Sequence, residues 1–212
     1  MTTTALGWLE PPVVDVPDGV RLADVGPVGW QVLLRDGVLE PVRGEVAAVR
    51  GRPPDPAVRA GALRELVPPR AVVGRAAAVW VHTGGPAPAR FDVLVAPRVR
   101  RPSPHPLRVP HESPLPPADV LRLGEVRVTT VQRTALDVAR WLAPEVAEPL
   151  LDRLVTDTGL DPYAPLRLLD LARGHVRGPA ARAVLEGWLA RRRSGGQEVP
   201  AGTPAAFEPV IR

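Results

Sequence analysis

Thr129-Thr130-Val131-Gln132 opens the stretch that most restricts how this chain can fold. Thr followed three residues later by Gln is a capping box, in which the Thr129 hydroxyl and the Gln132 amide each satisfy a backbone N–H that the first helical turn leaves without a partner. A helix is therefore expected to begin here. Val131, Ala135, Val138 and Leu142 recur at helical spacing along one face. Arg133, Asp137 and Arg140 fall together on another as i, i+4 and i, i+3 partners. Pro144 is expected to end the helix. A helix with one apolar and one charged face needs a second layer to cover it, so the surrounding sequence must supply a mixed domain.

The flanking segments fit that requirement. Residues 1–19 hold Pro11, Pro12 and Pro17 with little periodicity and read as a loosely ordered lead-in. Pro27 suits a first helical turn, Trp30, Leu33 and Leu34 share a face, and Gly37 can supply the left-handed residue that stops the helix. Extended runs follow at Val38–Val42 and Glu45–Val49, with Arg43-Gly44 as a two-residue hairpin turn. This unit, 20–52, is helix then hairpin, like the back half of a winged helix. Asp55-Pro56 has the form of an N-cap followed by a first-turn proline, and Pro68-Pro69 stops that helix. Gly74–His82 reads as a small-residue helix, Phe91–Ala96 as an apolar strand, and Arg98–Pro110 as a basic, proline-rich connection. Strands are expected at Val120–Leu123 and Glu125–Thr129, turning near Gly124. Beyond Pro144, helices are expected at Pro149–Asp157, Ala164–Arg173 and Pro179–Arg193, with a disordered tail over 194–212. The fold class is thus α+β: a small winged-helix-like unit, then a mixed α+β domain over 55–193 whose final third is helical.

Composition narrows the function classes. The chain has 212 residues, of which 45% are hydrophobic and 24% charged, enough for a packed core. It contains no Cys, which removes disulfides, thiolate nucleophiles and cysteine-based zinc sites together. It contains no Lys either, so all 27 basic residues are Arg, a bias that fits a GC-rich genome and weakens the net charge of +4 as an argument for nucleic acid. No apolar run approaches the ~20 residues that cross a bilayer. Met1–Pro12 lacks the basic start and apolar core of a signal peptide, so a cytoplasmic protein without membrane contact is expected.

Several segments together resemble one family. They are "LLRDGVLEPVRGEVAAV", "AVVGRAAAVWVHTG", "FDVLVAPRVRR" and "LPPADVLRLGEVRVTTVQRTALDVARWL", in order from about Leu33 to Leu142. Their spacing is similar to that of AbiEi-type antitoxins of type IV toxin–antitoxin systems, in the form common in high-GC bacteria. The most specific piece is Thr129–Arg140, with Arg133, Thr134 and Asp137 as an Arg-Thr-x-x-Asp core. The resemblance implies an N-terminal winged helix that binds the operon's own promoter DNA, and a following α+β domain that counteracts a nucleotidyltransferase-like toxin or its products. The chain departs from the family pattern in two ways. It ends about where the endonuclease-like domain of some relatives would begin, and its N-terminal unit is short of the first helix of a helix-turn-helix.

The candidate sites follow from charge and placement. With Trp30 inward, Val28, Gln31, Val32 and Arg35 of the expected recognition helix face solvent. Only Gln31 and Arg35 among them have the chemistry to read base edges or grip phosphate, with Arg21, Arg43, Arg50 and Arg52 placed to hold the backbone beside the hairpin. The alternative is a unit that no longer binds DNA and only packs on the main domain, leaving a protein-interaction remnant of the family. Arg98, Arg100 and Arg101 form a loop cluster suited to an acidic protein surface or to phosphate. Arg133, Thr134 and Asp137 either line a partner surface or serve as a structural ion pair. Arg191–Arg193 complement the end of the last helix without any ligand. The four histidines show no metal-ligand spacing, no Gly-x-Ser-x-Gly or phosphate-loop string occurs, and neither metal nor cofactor is expected. A degenerate nuclease of the Asp…Glu-x-Lys type would use Asp92 and Glu125, but Arg127 stands where the Lys belongs and cannot act as a base. The expectation is a binding protein rather than an enzyme.

Overall fold

The computed structural model describes residues 18–171 and 176–195. The lead-in over 1–17 and the tail over 196–212 lie outside these residues. The chain divides into two compact units at Thr129/Thr130.

The first unit holds two sheets. β1 (Gly19–Arg21), α1 (Leu22–Arg35), β2 (Leu39–Arg43) and β3 (Val46–Val49) form an antiparallel sheet in the order β1-β3-β2 with one helix beside it. Gly26 takes φ 70 and ψ 166 directly before Pro27, which splits α1 into a first turn, Leu22–Val25, and the helix expected from Pro27. Trp30 is buried with Leu39 and Ala47, and Leu33 and Leu34 flank it, as the spacing predicts. The hairpin turn falls on Gly44-Glu45, one residue later than expected, with Gly44 at φ 54. β1 was not anticipated: three residues are too few for an alternation to register. Gly19 is required there because a Cβ would lie 2.8 Å from Val58.

The second sheet of this unit is mixed, in the order β6-β5-β4-β8-β7. Its strands are β4 (Val72–Val73), β5 (Phe91–Val95), β6 (Arg108–Glu112), β7 (Val120–Leu123) and β8 (Val126–Thr129). α2 (Pro56–Gly61) and α3 (Arg75–Thr83) cover it, and the Asp55 side chain caps α2 by accepting from Val58 N at 2.7 Å. Leu63, Val73, Trp80, Phe91 and Val128 form the core between these layers, with Trp80 edge-on to Phe91 at 5.8 Å. The stretch expected to be a bare connection contains β6. Pro110 hid it, yet proline is tolerated there because β6 is the edge strand and needs no donor on its outer side.

The second unit is helical: α4 (Val131–Trp141), α5 (Pro144–Thr158), α6 (Ala164–Leu171) and α7 (Gly178–Gly195), with α4 against the other three. The cap of α4 is Thr130, not Thr129, its hydroxyl accepting from Arg133 N at 3.3 Å. Thr129 is still in β8, paired with Val120, so helix entry shifts by one residue. α4 is not two-faced: every residue from Arg133 to Arg140 is buried. Pro144 does not merely stop α4 but occupies the first turn of α5, and Pro149 lies inside that helix rather than at its start. No helix among the described residues is long and apolar enough to cross a membrane.

Candidate partner-binding surfaces

The outer face of α1 carries Val28, 79% exposed, with Val32, Gln31 and Arg35 beside it. The orientation is the one that an inward Trp30 imposes. Few cations on this layer face solvent unopposed. Arg35 pairs with Asp36 at 2.9 Å, Arg50 with Glu40 at 3.4 Å and Arg52 with Asp18 at 3.0 Å. These are exposed pairs and individually weak, but they cancel the positive field that would draw phosphate. Arg21 is exposed beside α1. Arg43 differs from the rest: it is half-buried, its guanidinium stands 4.1 Å from the Phe91 ring centroid, and burial lowers its pKa from the ordinary value.

The β5–β6 connection presents the opposite electrostatic situation. Arg98, Arg100 and Arg101 are all exposed, and no carboxylate lies within ion-pair distance of them among the described residues. Val99 N donates to Ala96 O at 3.2 Å, closing a turn with Pro97 and Arg98 at its centre. Arg98 takes φ 65 there. A proline second and a left-handed residue third is the pattern that normally selects glycine at the third place. An arginine in that position costs about 1 kcal/mol or more in backbone strain, and strain held at an exposed position is an observation that points to function.

Arg133, Thr134 and Asp137 are in a different environment, at 2%, 0% and 1% exposure. Arg133 Nε donates to Asp137 Oδ2 at 2.8 Å, and Arg140 lies 3.6 Å from Asp137 Oδ1 while donating to Val176 O at 2.8 Å. Burial lowers the Arg140 pKa; Asp137 opposes that shift and Arg133 adds to it. Buried on all sides, these three residues present no surface to a partner, and the structural reading of the Arg-Thr-x-x-Asp core is the one the geometry fits.

Arg59 carries no signal in the sequence, and His82 stands there only as one of four histidines without metal-ligand spacing. Arg59, 8% exposed, donates from Nε to Val81 O at 2.8 Å and from NH2 to His82 O at 3.0 Å, and also bonds Pro54 O. It thereby satisfies carbonyls that the C-terminus of α3 leaves open. The His82 ring meets Thr129 O through Nε2 at 2.8 Å, and burial lowers its pKa below 6.5. Asp92 and Glu125 are held apart by different partners. Asp92 Oδ1 lies 2.6 Å from His111 Nε2, with Arg75 3.1 Å from the same nitrogen, whereas Glu125 sits in the β7–β8 turn paired with Arg64 at 2.8 Å. The two carboxylates thus sit in separate ion pairs on different partners. No group of three or more His, Asp or Glu side chains suited to a metal occurs among the described residues. Alternation along β5 could have placed Asp92 and Leu94 on one face, but nothing local links Asp92 to His111 across two strands.

No family model matches the chain, and no curated protein does. Among solved structures, the crystal structure of RV2827C protein from Mycobacterium tuberculosis is similar at 18% identity and a TM-score of 0.42, covering 82% of this chain and 73% of that one.

Proposed function

We propose that the chain is a cytoplasmic, antitoxin-like regulatory protein that works by binding a protein partner, a nucleotidyltransferase-like toxin, and that its N-terminal layer is a second contact to the operon's promoter DNA. One observation carries the protein-partner half. Arg98, Arg100 and Arg101 stand exposed without carboxylates on a turn that is strained to hold Arg98 in place, whereas the cations of the α1 layer are mostly neutralised by their own neighbours. An uncompensated cluster of guanidiniums suits an acidic protein surface, where planar two-pronged pairing adds geometric selectivity. No catalytic step is assigned.

The test is growth rescue. In cells expressing a nucleotidyltransferase-like toxin, co-expression of the wild-type chain should restore growth, and R98E/R100E/R101E at equal expression should fail to. Equal rescue by the variant contradicts the reading. The promoter half is tested separately by a gel shift on the upstream DNA over a salt series. Sequence-dependent binding that weakens in Gln31→Ala supports it, and binding that ignores sequence and vanishes with moderate salt removes it, since phosphate contact alone falls steeply with salt. If that half fails while rescue holds, the chain is a protein-interaction form of the family without DNA binding.

A further inference from the structure

A groove of about 540 Å³ opens on the first unit between the hairpin turn and the end of α2. That volume lies within the roughly 300–1,000 Å³ of small-ligand sites, which are apolar with a few polar groups that fix orientation. Val46, Ala62 and Leu66 are half-buried along it, and the half-buried cation among them is Arg43. Glu45 and Glu65 are exposed, at the edge of the groove, and Arg64 is occupied by Glu125 at 2.8 Å. We propose that this groove binds a small molecule bearing one carboxylate on an apolar body, with the carboxylate on Arg43 and the body against Val46, Ala62 and Leu66.

Three observations converge on that chemistry. The Arg43 guanidinium is fixed over Phe91, so its donors are ordered before any ligand arrives. No carboxylate lies within ion-pair distance of it among the described residues, although burial already disfavours its charge. A partly desolvated cation without a counter-charge gains more from an incoming anion than a fully exposed one does. Arg21 also lines the groove but is exposed, as Glu45 and Glu65 are, and these charges offset one another; Arg43 is the half-buried guanidinium and matches one carboxylate. The planar fork of Arg43 also matches carboxylate geometry. This inference is independent of the protein-partner reading, because it does not use the Arg98 cluster, and it assigns Arg43 to the groove in place of the DNA backbone.

Octanoate, below its micellar range, is the probe, titrated by calorimetry into the full chain. Saturable one-site binding is expected, weakened about tenfold or more in Arg43→Gln and less in Arg43→Lys. Acetate, octylammonium and inorganic phosphate should each bind more weakly than octanoate by a similar factor, because each lacks the tail, the charge sign or the single charge. Circular dichroism separates a lost site from a lost fold, and Arg43→Lys retains the cation if Arg43→Gln does not fold. Octanoate binding that is absent, equal to that of octylammonium, unchanged in folded Arg43 variants, or exceeded by that of phosphate overturns the proposal.

Discussion

Arg133 Nε donates to Asp137 Oδ2 at 2.8 Å with neither side chain more than 3% exposed, which makes the most specific piece of the family resemblance part of the interior. Asp137 faces both Arg133 and Arg140, so removing it takes a counter-charge from two buried guanidiniums. Asp137→Leu is therefore expected to destabilise by about 3–5 kcal/mol and Arg133→Met by less, while R133M/D137L costs less than the sum of the two. Urea denaturation of the three variants measures this. Additive losses would mean that the pair is not coupled.

Arg98 makes the opposite kind of prediction. Its φ of 65 is one that glycine adopts without strain, so Arg98→Gly should raise stability, by about 0.5–1 kcal/mol once the extra freedom of glycine in the unfolded chain is subtracted. The same substitution should weaken partner binding. Stability gained against function lost is the signature of a residue retained for its side chain. If Arg98→Gly is neutral or destabilising, the turn is not strained in the way described.

His82 gives the molecule a pH dependence. Burial lowers its folded-state pKa below 6.5, with its contact to Thr129 O opposing the shift and the Arg59 charge reinforcing it. The unfolded chain therefore binds the proton more readily, and stability is complete above about pH 6.5 and declines as pH falls below it. Thermal melts between pH 7.5 and 5 should show this decline, and His82→Gln, whose amide can still donate to Thr129 O, should show a shallower one. An unchanged slope in the variant would assign the decline to other groups.

The sequence carried the local signals well and the long-range ones poorly, for a physical reason. Pro27, Gly37, Asp55 and the Trp30 spacing act through the chain within a turn or two, and each element they mark is present. β4, β1 and β6 were illegible because two- and three-residue strands show no alternation and Pro110 argues against a strand unless its edge position is known. The α4 segment was placed within one residue but its burial was misjudged, since its charges satisfy one another and so look the same in sequence whether inside or outside. Proximity along the chain groups Arg21, Gln31, Arg35, Arg43, Arg50 and Arg52. The structure disperses them: three are paired with neighbouring acids, and Arg43 is stacked on Phe91.

We propose above that Arg98, Arg100 and Arg101 form the contact with a protein partner. Calorimetry of the purified chain against a nucleotidyltransferase-like toxin, at two salt concentrations, tests this directly. Wild-type binding should weaken with salt and fall by about tenfold or more in R98E/R100E/R101E, while Arg133 and the remaining core keep the variant folded. Undiminished affinity in the folded triple variant would contradict the account.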